Sequence, residues 1–369
     1  MSNKSIIFQG NTGSEWLDIT ASNPVDVISL SLDDSPEKLV KFIQDNIGKF
    51  IAGFISYEYG VNLLGVSIEE PKLIPAVHFR AYDSYENYDS IKAENNFVEW
   101  TPFESQISKS DYISNFNKII HHIKSGDVYQ LNYTHPLISE TNADPISLFN
   151  AMRQKNEVGY SAFIEDDDWA IHSLSPEQFI VIENGIISTK PIKGTISRGR
   201  TSNEDEEYLN QLLENKKEQA ELYMIIDLLR NDLGKVCQTG SVRVLESKSI
   251  QKLEKVFHTY GFVQGKLKNE ISAIEALLSM SPGGSISGCP KKRACELISE
   301  LERTPRGVYT GTIGYILPNG SLHFNIAIRT ITQIKEKLTL GVGGGITIGS
   351  NYEDEFNESL VKAASFQND

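Results

Sequence analysis

The sequence predicts an α/β protein, of the α+β kind, in which strands outnumber long helices. Two Asn-Gly pairs, Asn184-Gly185 and Asn319-Gly320, lie between apolar runs and favour tight β-hairpins. Further short runs rich in β-branched and aromatic residues predict additional strands, while only a few segments have helical spacing. No repeat, linker or low-complexity segment divides the 369 residues, so we expect one large mixed domain over residues 1–369.

The first half of the chain alternates helices and strands. Helical spacing of apolar residues predicts helices at residues 36–47 and 111–124. Continuous apolar runs predict strands at residues 50–55 and 76–82. Residues 178–182 and 186–189 then flank the turn at Asn184-Gly185, which predicts the first hairpin.

The second half carries the longest predicted helix and the strands of the second hairpin. Helical spacing extends over residues 204–233 and again over residues 292–301. Strands are predicted at residues 310–316, 322–332 and 338–346, the first two joined by Asn319-Gly320. Ser350 and Glu353 have the spacing of a capping box, which predicts that the last helix begins there.

Lys193 follows the first hairpin in the run Pro191-Ile192-Lys193-Gly194-Thr195. Pro191 is expected to end the strand, because it lacks the N–H group that a β-ladder needs. A lysine between a rigid proline and a flexible glycine is held in position, and a partly desolvated amine can act as a nucleophile or base. From these five residues alone, an ordinary surface lysine at a strand end is the alternative interpretation.

Two predicted helices each carry a pair of glutamates three residues apart, so that both carboxylates of a pair lie on one helix face. The pairs are Glu218 with Glu221 and Glu355 with Glu358. Glu221 also shares a face with the apolar Ile225 and Leu228, where an uncompensated carboxylate is costly. Paired carboxylates suit a hard divalent cation, although solvated helix faces have the same spacing.

Two glycine-rich segments lead towards predicted helices. Residues 341–345 read Gly-Val-Gly-Gly-Gly, and residues 283–291 read Gly-Gly-Ser-Ile-Ser-Gly-Cys-Pro-Lys. Glycines let a ligand reach backbone N–H groups, and a helix N-terminus favours an anion. Neither segment matches a nucleotide-binding fingerprint, and a tight bend in a packed sheet is the alternative for the first.

Composition excludes several classes of function. The formal net charge of −14 argues against nucleic acid as a partner, so an anionic ligand would be held by local cations. The three cysteines lack metal-ligand spacing, and their odd number suits a reduced, cytoplasmic protein. No apolar stretch has the length of a membrane span or of a signal-peptide core, so we expect no membrane association.

A series of motifs, in order, resembles the chorismate-utilising enzymes, and most closely those that form 4-amino-4-deoxychorismate. The motifs are residues 126–132 (Gly-Asp-Val-Tyr-Gln-Leu-Asn), 175–177 (Ser-Pro-Glu), 191–195, 227–232 (Asp-Leu-Leu-Arg-Asn-Asp), 283–291, 326–330 (Ile-Ala-Ile-Arg-Thr) and the helix with Glu355, Glu358 and Lys362. The resemblance is dense from about residue 110 and weak over residues 1–109, a divergent and shortened part. It implies the fold of anthranilate synthase component I, with two large, mostly antiparallel sheets packed as a sandwich and helices outside.

The resemblance also implies Mg²⁺ as the cofactor, bound directly by Glu221 and Glu358. Glu218 and Glu355 would hold water on the metal, which in turn would bind the ring carboxylate of chorismate. Glu177 is implied as the general acid that protonates the departing hydroxyl at ring carbon 4, with His258 near that leaving group.

A further set of residues is implied to hold the substrate, through side chains and backbone N–H groups. They are Gln130, Thr195, Gly284, Ser285, Tyr309, Arg329, Gly343, Gly344 and Lys362. Arg329 lies among apolar residues of a predicted strand, where a bound carboxylate is a suitable partner for a guanidinium. Pairing with one of the many acids of this chain is the alternative.

Two positions bear on the kind of reaction. Isochorismate and salicylate synthases carry a lysine that activates water at the position of Gln130, whereas an amide cannot act as a base. Anthranilate synthases typically carry alanine at the position of Lys193. The resemblance therefore implies that Lys193 adds to ring carbon 2 as hydroxide leaves carbon 4. Ammonia from a separate glutamine amidotransferase subunit then attacks carbon 4 and expels the lysine.

Two alternative functions stay open at this point. One is the anthranilate synthase reaction of tryptophan biosynthesis, in which ammonia is added at ring carbon 2. The other is a non-enzymatic, anion-binding subunit on the same fold, which would lack a complete set of acid, metal ligands and nucleophile. The main interpretation is amination at carbon 4 for p-aminobenzoate and folate biosynthesis.

Overall fold

The computed structural model describes residues 4–10, 14, 16–88, 98–156 and 158–367. The chain falls into two compact units, one formed by Met1–Pro176 with Ser281–Asp369 and the other by Glu177–Met280. The single domain expected over residues 1–369 stays a prediction. Within the described ranges, no helix is both long enough and apolar enough to cross a membrane.

Strands supply most of the regular elements. In chain order they are β1 (Ile6–Gln9), β2 (Ile19–Ala21), β3 (Asp26–Leu30), β4 (Phe50–Ile55), β5 (Val77–Tyr82), β6 (Glu86–Asn87), β7 (Glu104–Ser105), β8 (Gln130–Glu140), β9 (Tyr160–Glu165), β10 (Ala170–Ser175), β11 (Gln178–Glu183), β12 (Ile186–Lys190), β13 (Ile192–Ser197), β14 (Arg243–Lys252), β15 (Val256–Lys266), β16 (Gly288–Cys289), β17 (Thr312–Ile316), β18 (Leu322–Ile326), β19 (Thr330–Ile334) and β20 (Lys337–Thr347).

The helices lie between these strands. They are α1 (Glu37–Asp45), α2 (Tyr57–Leu63), α3 (Lys109–Lys124), α4 (Pro145–Lys155), α5 (Ser202–Glu214), α6 (Lys216–Val236), α7 (Ala273–Met280), α8 (Lys291–Leu301) and α9 (Tyr352–Ala364). A short 3₁₀ turn at Gly284–Ile286 precedes α8.

The first unit is a sandwich of two antiparallel sheets. One is ten-stranded, in the order β16-β8-β20-β19-β10-β9-β1-β2-β6, with β7 also on β8. The strands of the second run in the order β18-β17-β4-β5-β3. Phe8 of the first sheet meets Tyr315 of the second with ring centroids 5.0 Å apart, inside a shared buried cluster. The predicted α/β class, with large antiparallel sheets packed as a sandwich, is confirmed.

Helices cover the other face of the ten-stranded sheet. Phe149 of α4 and Ala363 of α9 lie in one buried cluster with Leu340 and Val342 of β20. Because side chains alternate along a strand, the remaining face of β20 carries Gly341, Gly343 and Gly345. Over the glycine-rich segment 341–345, one face of β20 therefore exposes backbone and no side chains.

The second unit contains an antiparallel sheet in the order β13-β15-β12-β11, with β14 also paired to β15. Helix α6 packs on this sheet with a buried stripe that includes Leu222, Ile225, Ile226 and Leu229. Both predicted hairpins are confirmed, since β11 pairs with β12 and β17 pairs with β18.

The prediction of one helix over residues 204–233 is wrong. Asn215 has an extended backbone, ends α5 and caps α6, and its side chain accepts a hydrogen bond from the Glu218 N–H at 3.2 Å. Asparagine is among the preferred N-cap residues, because its side chain satisfies an N–H group that has no partner in the helix. Apolar spacing continues across the break, so the periodicity did not reveal it.

The strand predicted over residues 322–332 is also interrupted. β18 ends at Ile326, β19 begins at Thr330, and Arg329 between them has a φ of 50°. The two strands belong to different sheets of the first unit, so the chain crosses the sandwich here. Alternation cannot show such a crossing, because both sheets are apolar on the inside. Arg329 therefore lies in a connection, not in a strand.

The last helix begins with a different cap from the one predicted. The side chain of Asn351 accepts hydrogen bonds from the N–H groups of Glu353 and Asp354. The hydroxyl of Ser350 instead donates to Glu355 Oε1 at 2.6 Å. Ser350 thus orients one of the predicted metal-binding carboxylates.

We predict that buried His172 makes the protein less stable as pH falls. Its ring lies near Phe149 and Phe163, and burial lowers its pKa to about 4. The unfolded chain binds the proton at its ordinary pKa of about 6.5, so stability is lost as pH falls from about 6.5 towards 4. His172→Gln should flatten the plot of unfolding free energy against pH by about 1.4 kcal/mol per pH unit near pH 5.

Urea denaturation at pH 7, 6 and 5 measures this slope. The same substitution at His121, which is exposed on α3, is the matched control. Equal slopes for His172→Gln and the unmodified chain would contradict the prediction.

Candidate functional site

Lys193 lies inside strand β13, where it faces Thr259 of β15 in the ladder. Pro191 ends β12, as expected, and separates it from β13, in which Lys193 is the second residue. The register shifts between Lys193 and Thr195, and Gly194 in this bulge has a φ of 74°. A Cβ atom at Gly194 would overlap the Glu218 carboxylate, so only glycine fits. The bulge fixes the direction in which Lys193 leaves the sheet.

The Lys193 side chain is half-buried. Within the described residues its ammonium group makes no hydrogen bond or ion pair. This chain has an excess of acids, yet none of the described ones pairs with Lys193. A lysine that is positioned but left without an anionic partner is available to react with a ligand.

His258 lies on β15 directly opposite Thr195 of β13. The Thr195 Oγ1 and the His258 Nδ1 are 2.7 Å apart, and the His258 ring is buried. This contact fixes the orientation of the ring. Glu177 is also buried and immediately precedes β11. The second unit thus carries Lys193, Thr195, His258 and Glu177, as well as the first carboxylate pair.

That first pair lies at the edge of the buried stripe of α6. Glu218 and Glu221 are both half-buried. Glu218 Oε2 lies against Gly194 in the bulge, so Glu218 is the carboxylate that contacts the strand carrying Lys193. The prediction placed Glu221 on the apolar face with Ile225 and Leu228, and of these only Ile225 is fully buried.

In the first unit, charged side chains of α9 lie against the glycine residues of β20. Lys362 Nζ donates to the Gly343 carbonyl at 2.9 Å and pairs with Glu358 Oε1 at 2.9 Å. Glu355 is buried, and its Oε2 and Lys362 Nζ each lie 3.4 Å from where a Cβ of Gly344 would be. A Cβ at position 344 would thus be in van der Waals contact with both groups. The two glutamates of this pair differ in exposure, since Glu355 is buried and Glu358 is exposed.

Two more predicted binding residues lie against other glycines of β20. The ring of Tyr309 occupies the space that a side chain at Gly341 would take, and the amide of Gln130 does the same at Gly345. Burial raises the pKa of Tyr309, so its hydroxyl remains a neutral hydrogen-bond donor. That hydroxyl makes no hydrogen bond to any described residue. Gly284 and Ser285 begin the 3₁₀ turn and leave N–H groups without an intrahelical partner.

Arg329 is the clearest sign of an anionic ligand. Its side chain is half-buried, and no hydrogen bond or ion pair joins its guanidinium to any other described residue. Burial lowers the pKa of Arg329, with no acidic neighbour to oppose the effect. Burying a charge without a partner is costly, and a carboxylate matches the two-pronged guanidinium well.

The sequence interpretation missed Arg306, which joins several of these elements. Its guanidinium donates to the carbonyls of Ile286 at 2.9 Å and Asn132 at 2.7 Å, and to the hydroxyl of Thr310 at 3.3 Å. It also pairs with Glu302 Oε1 at 2.7 Å. Arg306 thereby holds together the 3₁₀ turn, strand β8 and the residue after Tyr309. The only sequence signal was the spacing of Glu302 and Arg306 at i and i+4.

The carboxylates fit Mg²⁺ as donors. Each unit supplies a pair on one helix face, and Ser350 orients one of these groups. Within the described ranges, no three His, Cys, Asp or Glu side chains are grouped so as to enclose a metal ion. Mg²⁺ does not require such a cage, because it usually binds through one or two carboxylates and keeps several waters or substrate oxygens.

Residues 4–368 match the family described as chorismate binding enzyme. Aminodeoxychorismate synthase component 1 of Bacillus subtilis (strain 168) is 39% identical over 265 residues, which cover 72% of this chain and 56% of that protein. Anthranilate synthase component 1 of Acetivibrio thermocellus is 40% identical over 323 residues, which cover 87% of this chain and 65% of that protein. The chain thus spans less than two thirds of the length of these curated relatives.

The fold is shared with a solved relative. The crystal structure of anthranilate synthase component I from Streptococcus pneumoniae TIGR4 has a TM-score of 0.81 with this chain at 24% sequence identity. The match covers 100% of this chain and 93% of the other. The fold implied by the sequence motifs is therefore confirmed.

We predict opposite effects on stability at the two arginines. Arg306→Met should lower the unfolding free energy by about 3–5 kcal/mol, because it leaves Glu302 buried without its partner. Arg329→Met should leave it unchanged or raise it by roughly 1 kcal/mol, because it removes a charge that has no partner in the protein. Urea denaturation of both variants measures the difference, and a large loss of stability in Arg329→Met would show that Arg329 is structural.

Proposed function

The chain belongs to the chorismate binding enzyme family, and we propose that it is component I of an aminodeoxychorismate synthase. The reaction converts chorismate and ammonia to 4-amino-4-deoxychorismate, which keeps its enolpyruvyl group and feeds p-aminobenzoate and folate biosynthesis. The relative from Bacillus subtilis with that name supports this choice. Lys193 is the observation that carries it.

Lys193 supports amination at carbon 4, because the bulge at Gly194 fixes the backbone beside a lysine that has no anionic partner among the described residues. In its neutral form the amine attacks ring carbon 2 of chorismate, both conjugated double bonds of the ring shift, and the hydroxyl leaves carbon 4. Glu177 donates the proton that this hydroxyl needs to leave as water. Ammonia then attacks carbon 4, both double bonds shift back, and Lys193 leaves carbon 2 as an amine. One difficult displacement is thus divided into two easier ones.

The cationic and neutral donors of the first unit support a substrate with two carboxylates. Arg329 has no other anionic partner among the described residues, and the Tyr309 hydroxyl has no other acceptor there. The ammonium of Lys362 is held at the carbonyl of Gly343, next to the N–H of Gly344. We assign these groups to the substrate carboxylates, with backbone N–H groups of the 3₁₀ turn at Gly284 and Ser285 as further donors.

We assign Mg²⁺ to the two carboxylate pairs, with Glu221 and Glu358 as direct ligands and Glu218 and Glu355 as ligands through water. When bound, the ion would neutralise the ring carboxylate of chorismate and favour departure of the hydroxyl. Glu218 would also couple the pair to the bulge, because its carboxylate lies against Gly194.

A separate glutamine amidotransferase subunit is proposed as the source of ammonia, in the cytoplasm. Glutamine hydrolysis by such a subunit uses a cysteine thiolate. Burial raises the pKa of both Cys237 and Cys295 to about 11, which makes their thiolates scarce at neutral pH. The remaining cysteine, Cys289, is half-buried and directly precedes Pro290 in the glycine-rich segment.

Amination at carbon 2 is the second candidate function. The relative from Acetivibrio thermocellus carries the name anthranilate synthase component 1 and is as similar to this chain as the first relative. The two candidates differ in what Lys193 does, because a lysine bonded to carbon 2 prevents ammonia from reaching that carbon.

We predict that Lys193 forms a covalent adduct with the substrate. With chorismate and Mg²⁺ but no ammonia, intact-protein mass spectrometry should find an adduct that maps to Lys193. Lys193→Ala should lose this adduct and at least 10²-fold in the rate of 4-amino-4-deoxychorismate formation. The variant should also release some carbon-2 amination product, detected by fluorescence of anthranilate.

Lys190→Ala is the matched control, because Lys190 lies three residues earlier on β12 and stacks on Tyr260. It should keep the adduct and the product. An unchanged rate and product in Lys193→Ala would make Lys193 a bystander and favour the anthranilate synthase reaction.

We predict that divalent metal binding depends on both carboxylate pairs. Glu221→Gln and Glu358→Gln should each weaken Mg²⁺ binding at least 10²-fold, whereas Glu218→Gln and Glu355→Gln should weaken it about 10–100-fold. Calorimetric titration with Mg²⁺ in the presence of chorismate measures the affinity without reference to turnover. Asp227→Asn, an exposed carboxylate on the same helix as Glu221, is the control and should bind Mg²⁺ normally. Normal binding by Glu221→Gln or Glu358→Gln would refute the metal assignment.

A further inference from the structure

Glu58 is a completely buried carboxylate outside every motif discussed so far. It lies in the first turn of α2, and its Oε1 accepts a hydrogen bond from the Arg306 N–H at 2.6 Å. Its Oε2 accepts one from the Gly307 N–H at 3.0 Å. The neighbouring N–H of Tyr57 donates to the Gly307 carbonyl at 2.9 Å. The start of α2 therefore forms hydrogen bonds with both the N–H groups and the carbonyl of the backbone segment Arg306-Gly307.

The Glu58 carboxylate that forms these hydrogen bonds carries a charge whose burial is energetically costly. The nearest guanidinium, that of Arg306, is already bound to Glu302 through two hydrogen bonds and stacks on the Tyr57 ring at 4.3 Å. Burial raises the pKa of Glu58 to about 7, against the opposing effect of its backbone hydrogen bonds. A buried carboxylate without a cation of its own lowers stability, so packing alone does not account for it.

The Arg306-Gly307 segment leads directly to Tyr309 through an uncommon backbone conformation. Gly307 has a φ of 64° and Thr310 has a φ of 61°, so left-handed residues lie on both sides of Tyr309. A β-branched residue such as threonine rarely adopts this conformation, which persists only where the surroundings impose it. Glu58 acts on one end of this segment and the Arg306 side chain on the other, through Thr310 Oγ1.

Tyr309 is sensitive to any movement of this segment. Its ring fills the place of a side chain at Gly341, and only one residue separates it from Gly307. Two residues of chain span at most about 7 Å, so a shift at Gly307 cannot be absorbed before Tyr309. The position of the Tyr309 hydroxyl therefore depends on the contact between Glu58 and the backbone of Arg306 and Gly307.

We propose that Glu58 is a positioning residue, which holds the Tyr309 hydroxyl in place to bind a substrate carboxylate. The inference rests on the proposed function, because the carboxylate is that of chorismate. Glu58 does not touch the substrate and acts only through the backbone before Tyr309. It should therefore affect binding of the substrate more than the chemical step that follows.

Steady-state kinetics of Glu58→Gln test this proposal. The amide keeps the size of the side chain but replaces one acceptor by a donor that faces the Gly307 N–H. KM for chorismate should rise about tenfold, with kcat changed less than about threefold, because ground-state positioning is lost. Glu58→Asp, which keeps the charge on a shorter side chain, should show a smaller rise and serves if the amide variant fails to fold.

A double-mutant cycle with Tyr309→Phe shows whether Glu58 acts through Tyr309. Tyr309→Phe alone should raise KM, and adding Glu58→Gln to it should raise KM by less than about twofold more. Independent, multiplicative effects would overturn the proposal, as would a fall in kcat at constant KM, which indicates only loss of folded enzyme.

Asp166→Asn is the control for removal of a half-buried, ion-paired carboxylate from the same unit. Asp166 accepts a hydrogen bond from Arg80 at 2.8 Å and pairs with Lys4 at 3.0 Å. Asp166→Asn should lower thermal stability and leave KM for chorismate unchanged.

Hydrogen exchange separates failure of this inference from failure of the proposed function. In the protein without ligand, amides of residues 306–311 should exchange about tenfold faster in Glu58→Gln than in Asp166→Asn. Unchanged exchange in this segment would overturn the inference whatever the enzyme uses as its substrate. Unmodified protein that does not aminate chorismate would refute the proposed function, while the exchange data would still decide whether Glu58 orders the segment.

Discussion

The buried guanidinium of Arg306 is the interaction on which the first unit's binding residues depend. It is bound by the carbonyls of Ile286 and Asn132, by Thr310 and by Glu302. These partners come from a 3₁₀ turn, a central strand, the loop after α8 and the end of that helix. A guanidinium carries five N–H donors in a fixed plane, so one side chain can fix several backbone segments at once. No lysine could replace it with the same geometry.

Charge in this unit is divided between groups that hold the fold and groups left for a ligand. Arg306 is fully paired, whereas Arg329 has no hydrogen-bond or ion-pair partner among the described residues. Glu58 lies between these cases, because its carboxylate binds backbone N–H groups and not a cation of its own. Buried charges without ionic partners lower stability, and proteins keep such costly groups mainly where binding or catalysis needs them.

In both units, glycines leave the space that proposed binding and catalytic side chains occupy. In the second unit, Gly194 forms the bulge that orients Lys193 and makes room for Glu218. In the first, Gly341 and Gly345 make room for Tyr309 and Gln130, while Gly344 faces Glu355 and Lys362. At Gly194, Gly341 and Gly345, a side chain would displace a proposed binding or catalytic residue. The glycine-rich strand is thus explained by close packing of functional side chains and not by a phosphate-binding loop.

The sequence by itself determined the α/β class, both Asn-Gly hairpins and most helices, because these depend on residues close together in the chain. It also gave Lys193, Arg329 and the two glutamate pairs as candidates, through their local spacing together with the series of family motifs to which they belong. Only the tertiary structure decided that the segment with Arg329 crosses between sheets and that Asn215 divides a helix. It alone revealed Glu58, whose partner Arg306 is 248 residues away. Local periodicity carries no information about such contacts, because they form only when distant segments fold against each other.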